Sequence, residues 1–222
     1  MVGYIKIKDF FDLRETDFSG IFDNVENPYE ILPLINDYIL KTGPQLNEDY
    51  KEIKENVWVG KGTTIAESAL INGPVIIGKN CEIRHCAFIR GRAVIGNSSV
   101  IGNSTEVKNS FLFNCVQAPH FNYVGDAIMG FKSHIGAGVI LSNVRSIPGS
   151  VNIRVDDKLI NTGLKKFSTI LGDHVEVGCN SVLNPGTIVG KESVIYPLSS
   201  VRGFIPEKHI LKNNGIKFPK RS

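Results

Sequence analysis

An aliphatic residue recurs at every sixth position through most of this chain. Counting by six from Ile53 gives Val59, Ile65, Ile71, Ile77, Ile83, Ile89, Ile95, Ile101, Val107 and Phe113. A second register links Tyr123, Met129, Ile135 and Leu141, and a third links Leu171, Val177, Leu183, Val189, Ile195 and Val201. An amphipathic helix repeats near 3.6, and β-branched side chains lose rotamer freedom in it. Six-residue units suit short strands joined by tight turns, each sending one aliphatic side chain inward. The next residue is often small, as in VGKG, IGKN and two IGNS runs, which suits a turn. Stacked units bury a continuous aliphatic column, and each coil satisfies the backbone of its neighbour. The spacing therefore predicts an all-β solenoid, a parallel β-helix.

Three stretches depart from the period. Residues 1–50 lack it. Within them NPYEILPLINDYILKTG carries Ile31, Leu34, Ile35, Tyr38 and Ile39 at helical spacing, with Gly43 as a stop. This predicts a small N-terminal helical cap over the open first coil, then a solenoid domain over residues 51–205 and a polar, basic outer tail over 206–222. Residues 117–126, QAPHFNYVGD, interrupt the step. Residues 144–166 read as an inserted hairpin loop, with Val151, Ile153 and Val155 alternating before an Asp156-Asp157-Lys158 turn, then Leu159 and Ile160. Loops that leave a rigid scaffold concentrate function, so both interruptions are candidate sites, with subunit contacts as the other reading.

A chain of 222 residues, 42% hydrophobic, can bury one sizeable core. A net charge of +3 is too mild to argue for nucleic acid, though local basic clusters could hold a small anion. No run of eighteen apolar residues points to a membrane span, and the N-terminus lacks the order of a signal peptide, so a cytoplasmic protein is expected. The four cysteines, Cys81, Cys86, Cys115 and Cys179, form no CxxC pair, which argues against a zinc or thioredoxin-type site. They are expected to be reduced and mostly buried.

The repeat resembles that of the hexapeptide-repeat acyltransferases, whose solenoid is a left-handed β-helix with three strands per coil and which are usually trimers. The hand comes from this resemblance alone, because the general crossover rule favours the right-handed turn. Across roughly residues 85–200 the match is closer. PHFNYVGDAIMGFKSHIGAGVILSN resembles the acetyltransferase domain of bacterial bifunctional glucosamine-1-phosphate N-acetyltransferase / N-acetylglucosamine-1-phosphate uridyltransferase, and related archaeal sugar-phosphate enzymes. The family's His, Tyr, Gly, Asp, IGAG turn and Asn correspond to His120, Tyr123, Gly125, Asp126, residues 135–138 and Asn143.

The resemblance implies acetyl-CoA-dependent N-acetylation of an amino-sugar 1-phosphate or related sugar nucleotide. His120 would be the general base, since imidazole exchanges a proton near neutral pH. Arg90, Lys108 and Tyr123 would hold the sugar phosphate, a planar fork and a point charge suiting a dianion. Arg90 and Lys108 are eighteen residues apart, so a coil of three hexapeptides would stack them on one edge. Glu106 matches an acidic position near the His. Asn143 would lie near the acetyl group, with backbone N–H groups taking oxyanion charge. Acetyl-CoA would follow the groove between neighbouring subunits along Ala137, Cys179 (a Ser in the family) and Pro197, with Lys212 near its phosphate.

Two departures concern the acceptor. His134 replaces a sugar-contacting Asn, and the family's short Lys-bearing connection becomes the long insertion, with Lys166 its best equivalent. No nucleotidyltransferase activity is expected of these residues, because that chemistry needs a domain with a Gly-rich phosphate loop. A separate nucleotidyltransferase acting in trans is therefore an expected partner. Two other readings stay open. The γ-type carbonic anhydrases bind zinc on the same solenoid, but none of His85, His120, His134, His174 and His209 are five apart as that family's pair is, so no metal is expected. The other is a non-catalytic sugar-phosphate-binding or regulatory solenoid.

Overall fold

The computed structural model describes residues 5–220, so the ends of the expected cap and tail lie outside the described residues. The chain winds into a left-handed parallel β-helix with three sheets. Its first coil places Val57–Gly60 on the first sheet, Thr64–Ile65 on the second and Leu70–Ile71 on the third. Val59 then pairs with Ile77, Ile65 with Ile83 and Ile71 with Ile89, so one coil is eighteen residues, or three hexapeptides.

The inward column runs from Val59 through Val107, then Leu112, Ala118, Val124, Met129, Ile135 and Leu141, and resumes from Leu171 to Val201, Ile205 and Leu211. Three predicted members fall outside it. Ile53 is half-exposed on the antiparallel strand Tyr50–Lys54, Phe113 packs into a second, outer cluster, and Tyr123 faces outward while Val124 points in. The expected interruption at residues 117–126 is instead regular solenoid, formed by strands Gln117–His120 and Tyr123–Gly125. The step slips because the corners after Val107 and Val124 are each one residue short; no loop leaves there.

Small residues after the inward position serve close packing rather than the turn itself. A Cβ on Gly96 would sit 2.5 Å from the Phe113 carbonyl carbon on the next coil, and one on Gly102 would overlap the Pro119 carbonyl. Neither glycine has a positive φ; the left-handed residues come later in each corner, for example Ser98 (57°), Phe121 (51°) and Asp126 (51°). Gly102→Ala should therefore cost about 3 kcal/mol through overpacking, read as a lower urea midpoint with unchanged slope.

The N-terminal segment does not cap the first coil. It runs as a strap down the outer face of the first sheet, in the opposite sense to coil growth. Phe10 packs edge-on to Phe204, the Asp173 amide donates to the Phe10 carbonyl (2.9 Å), Phe22 meets Phe111, and Gly43 lies against the Trp58 indole. The outward side chains of that sheet demand the cover: Trp58, Ile76, Val94, Phe111, Ile128, Ile170 and Ile188 are all buried. Residues Pro28–Leu34 form a 3₁₀-helix and Ile35–Thr42 an α-helix, burying Ile31, Leu32, Ile35 and Ile39 while Leu34 is exposed. Gly43 stays right-handed; its lack of Cβ admits Trp58 and does not supply a left-handed stop.

The insertion is the expected hairpin. Asn152–Val155 pairs antiparallel with Lys158–Asn161, and Val151 and Ile153 join the outer cluster. The solenoid extends further than residue 205, because His209–Leu211 adds a last parallel strand and Lys217–Pro219 folds back on it. Only Cys81 is buried; Cys86 and Cys179 are exposed and Cys115 is half-buried, because these three occupy corners where side chains face out. All four are free thiols. Among the described residues no helix is long and apolar enough to cross a membrane.

Candidate active site

Each edge of the triangular coil stacks equivalent corner residues at the spacing between neighbouring strands. Two edges border the third sheet, and between them they carry most of the residues singled out above.

At the corner entering the third sheet, His120 pairs in register with Asn103, and its carbonyl accepts from the Gly138 amide on the following coil (3.1 Å). The register continues upward: the Asn180 amide donates to the Ala137 carbonyl, and the Leu198 amide to the Cys179 carbonyl. His120, Ala137, Cys179 and Pro197 thus form one column. Its upper members are short side chains that leave a smooth strip of backbone, which fits a long, thin donor held by main-chain contacts. Lys212 follows the last inward residue at the same corner, with Nζ 4.8 Å from the Phe218 ring centre. The His120 side chain is exposed, and Asn122 fixes its backbone. The Asn122 side chain accepts from the His120 amide (3.1 Å) and donates to the Gly136 carbonyl (2.7 Å).

At the corner leaving the third sheet, Arg90 and Lys108 stack on successive coils, since Ile89 pairs with Val107. Arg90 leans back over the sheet and donates to Glu106 (2.7 Å), with its guanidinium 5.9 Å from the Phe88 ring centre. The Glu106 carboxylate holds the guanidinium pKa above its ordinary value. Lys108 is not a free cation. Its side chain is 11% exposed and pairs with Asp126, 6% exposed, at 3.1 Å. Asp126 also accepts from Asn109 (2.8 Å) and from the Asn143 amide, and its carbonyl accepts from the Ser168 amide. A Cβ on Gly125 would lie 2.5 Å from the Tyr123 hydroxyl, so the missing side chain lets the phenol fold across the cation column. Tyr123 accepts from Asn143 (3.2 Å), and burial, then the charges of Glu106 and Asp126, push its pKa up, so the phenol remains a donor at neutral pH.

Asp126 is therefore the hub of this corner, orienting Lys108 and Asn143 together. It stood in the sequence motif without a role; the sole signal was an acid eighteen residues after a lysine on a solenoid edge. Asn143, expected near the acetyl group, has both amide hydrogens committed to Asp126 and Tyr123 and lies at this second corner, away from the Ala137 column. Because Lys108 and Asp126 are both desolvated, Asp126→Ala should leave a buried unpaired ammonium and cost about 3 kcal/mol, measured by urea unfolding.

His134 lies on the second sheet and meets Glu176 at 2.7 Å, outside the cation cluster. Lys166 is exposed beside the neck of the insertion, where the Phe167 amide closes on the Asn143 carbonyl (3.1 Å). His120 and Tyr123 are three residues apart along the chain, on either side of the corner formed by Phe121 and Asn122. The imidazole and the cations thus occupy opposite edges of one narrow sheet face, with Glu106 and Tyr123 between them. Among the described residues no three His, Cys, Asp or Glu converge as metal ligands do.

A triangular parallel solenoid of eighteen-residue coils with these stacked edges defines a hexapeptide-repeat protein. The chain belongs to the GMPPB C-terminal domain family, whose model matches residues 71–199, and residues 50–91 match the bacterial transferase hexapeptide repeat. It is 30% identical over 193 residues to the bifunctional protein GlmU of Methanococcus vannielii, covering 86% of this chain and 46% of that protein. It is 28% identical over 206 residues to the bifunctional sugar-1-phosphate nucleotidylyltransferase/acetyltransferase of Sulfurisphaera tokodaii, covering 88% and 51%. The chain thus spans about half the length of the curated relatives it matches. Among solved structures, AntD, an N-acyltransferase from Bacillus cereus in complex with dTDP and 3-hydroxybutyryl-CoA, is similar with a TM-score of 0.39 and 18% identity, over 76% of this chain and 81% of that one.

Proposed function

We propose that this chain is an acetyl-CoA-dependent N-acetyltransferase whose acceptor is an amino-sugar 1-phosphate or a nucleotide derivative of one. The observation that carries the reading is the pair of stacked edges flanking the third sheet, one bearing an exposed imidazole below a bare backbone strip, the other two superposed cations under a phenol. The phosphate would sit against Arg90 and the Tyr123 hydroxyl. Lys108 would add charge from a position fixed by Asp126. The neutral amine would attack the thioester carbonyl of a donor lying along Ala137, Cys179 and Pro197. His120 would take the amine proton as the C–N bond forms and return it to the departing thiolate, which balances the transfer. Lys166 and His134 would border the acceptor, Lys212 would face the donor phosphates, and Asn143 would hold Tyr123 in place.

The groove would be completed by a second copy of the chain in a trimer. Phe121 (59% exposed) and Leu198 (70%) project from the neighbouring column, one residue on from His120 and Pro197, and Leu70, Ile140 and Val182 expose apolar surface on the adjoining sheet. The test of the function is release of free thiol from acetyl-CoA over a panel of amino-sugar 1-phosphates and amino-sugar nucleotides. One acceptor class should support steady turnover. Arg90→Gln should then raise the acceptor KM about tenfold with little change in kcat, as expected for lost ground-state binding. No release with any acceptor would overturn the proposal.

A further inference from the structure

The hairpin insertion borders a cavity of about 620 Å³ beside the corner that leaves the third sheet, running from Ser142, two coils above Lys108, to Arg202. Three arginines reach it from separate segments: Arg145 from the neck of the insertion, Arg154 from its first strand, and Arg202 from the solenoid edge. Arg145 is anchored by donating to the Ser150 carbonyl (2.7 Å). Among the described residues none of the three forms an ion pair, and no acidic residue lines the cavity. Elsewhere Arg14, Arg84 and Arg90 are each neutralised by a carboxylate, while Arg92 stands without an ion pair among the described residues. Three arginines around one cavity with no carboxylate in its lining give it a positive potential, and a bound anion relieves it.

The rest of the lining narrows the anion. Val144, Ile147 and Leu159 stand 53%, 70% and 57% exposed at the cavity, large apolar side chains facing solvent beside the cations. A lining that interleaves cationic and apolar side chains, with Arg154 paired directly to Leu159 and Val144 next to Arg145, suits a ligand with two phosphates and a flat, weakly polar body. The volume falls in the range of about 300–1,000 Å³ that encloses ligands of that size. Arg202 lies on the same edge as Arg90 but five coils along, since Ile89, Val107, Val124, Leu141, Leu183 and Val201 pair in succession. At about 4.8 Å per strand this is roughly 24 Å, too far for one phosphate group to touch both.

We propose that the Arg145–Arg154–Arg202 cavity is a second, separate anion site that takes a nucleoside diphosphate, either free or as the nucleotide part of an activated sugar. The site does not depend on acetyl transfer by the third-sheet face, and its occupant ties the hairpin to the solenoid edge.

Titration calorimetry on the full chain tests this with UDP, GDP, ADP, dTDP, their common nucleotide sugars and inorganic pyrophosphate. At least one nucleoside diphosphate should bind once per chain, and pyrophosphate more weakly because it leaves Val144, Ile147 and Leu159 uncovered. Arg154→Gln and Arg202→Gln should each weaken binding about tenfold or more, with unchanged thermal midpoints, since both side chains are exposed. Arg90→Gln should leave it intact, which separates this site from the acceptor site. A nucleotide sugar binding at least as tightly as its diphosphate would identify the activated sugar as the occupant; much weaker binding would identify the free nucleotide. No heat with any nucleotide up to about 1 mM, or binding that survives the double Arg154→Gln/Arg202→Gln variant, would overturn the proposal. So would pyrophosphate binding as tightly as the nucleotides.

Discussion

His120→Ala should lower kcat for acetyl transfer about 10²- to 10⁴-fold while leaving the acceptor KM nearly unchanged. The size follows from the role of a base that accepts a proton only as the new bond forms, so its removal is felt in the transition state and not in the ground state. The structure makes the substitution a clean one. The His120 side chain projects from a corner into solvent, and the turn that carries it is held by Asn122 through the His120 amide and the Gly136 carbonyl. Loss of the imidazole therefore removes no packing. Retained acetyl-CoA binding, by equilibrium titration, would show that the strip above it is intact. A variant with undiminished kcat would remove His120 from the mechanism, and a variant that fails to fold would contradict the description of its corner.

Phe111→Ala should destabilise the chain by about 3–5 kcal/mol, lowering the unfolding midpoint by on the order of 10 °C. Phe111 is fully buried on the outward side of the first sheet, edge-on to Phe22 of the strap at 5.4 Å and to Phe113 at 5.3 Å. Phe11 stacks on Phe113 at 4.8 Å within the same cluster. Truncation would leave a cavity between two elements that cannot both collapse into it, because the sheet is fixed by its neighbours and the strap by contacts at both ends. The comparison is Ile140→Ala, an exposed site on the third sheet, where little change is expected in the isolated chain. Equal effects at both positions would mean that the strap contributes no more than an ordinary surface segment.

These two residues also mark what could and could not be read before the structure. The period of six specified the solenoid because one inward side chain per strand is a demand that few other architectures make. It misassigned Phe113 and Tyr123 because a corner shortened by one residue shifts the phase without any visible turn signal. The strap was missed for a different reason. Runs such as Val75-Ile76-Ile77 and Ala93-Val94-Ile95 carry apolar residues on both faces of the first-sheet strands, which demands a cover on the outside, whereas the period counts only the inside. Stacking of Arg90 on Lys108 followed from eighteen-residue arithmetic. The commitment of Lys108 to Asp126, and of Asn143 to Asp126 and Tyr123, did not, because each rests on side-chain direction within a corner.

The central claim is that the face between the two stacked edges receives both substrates. A crystal structure of the chain with coenzyme A and an amino-sugar 1-phosphate tests it most directly. The pantetheine arm should lie along Ala137, Cys179 and Pro197, the phosphate should contact Arg90 and Tyr123, and the sugar amine should fall within about 3 Å of an imidazole nitrogen of His120. Either ligand seated on another face, with His120 facing open solvent in the occupied state, would contradict the account.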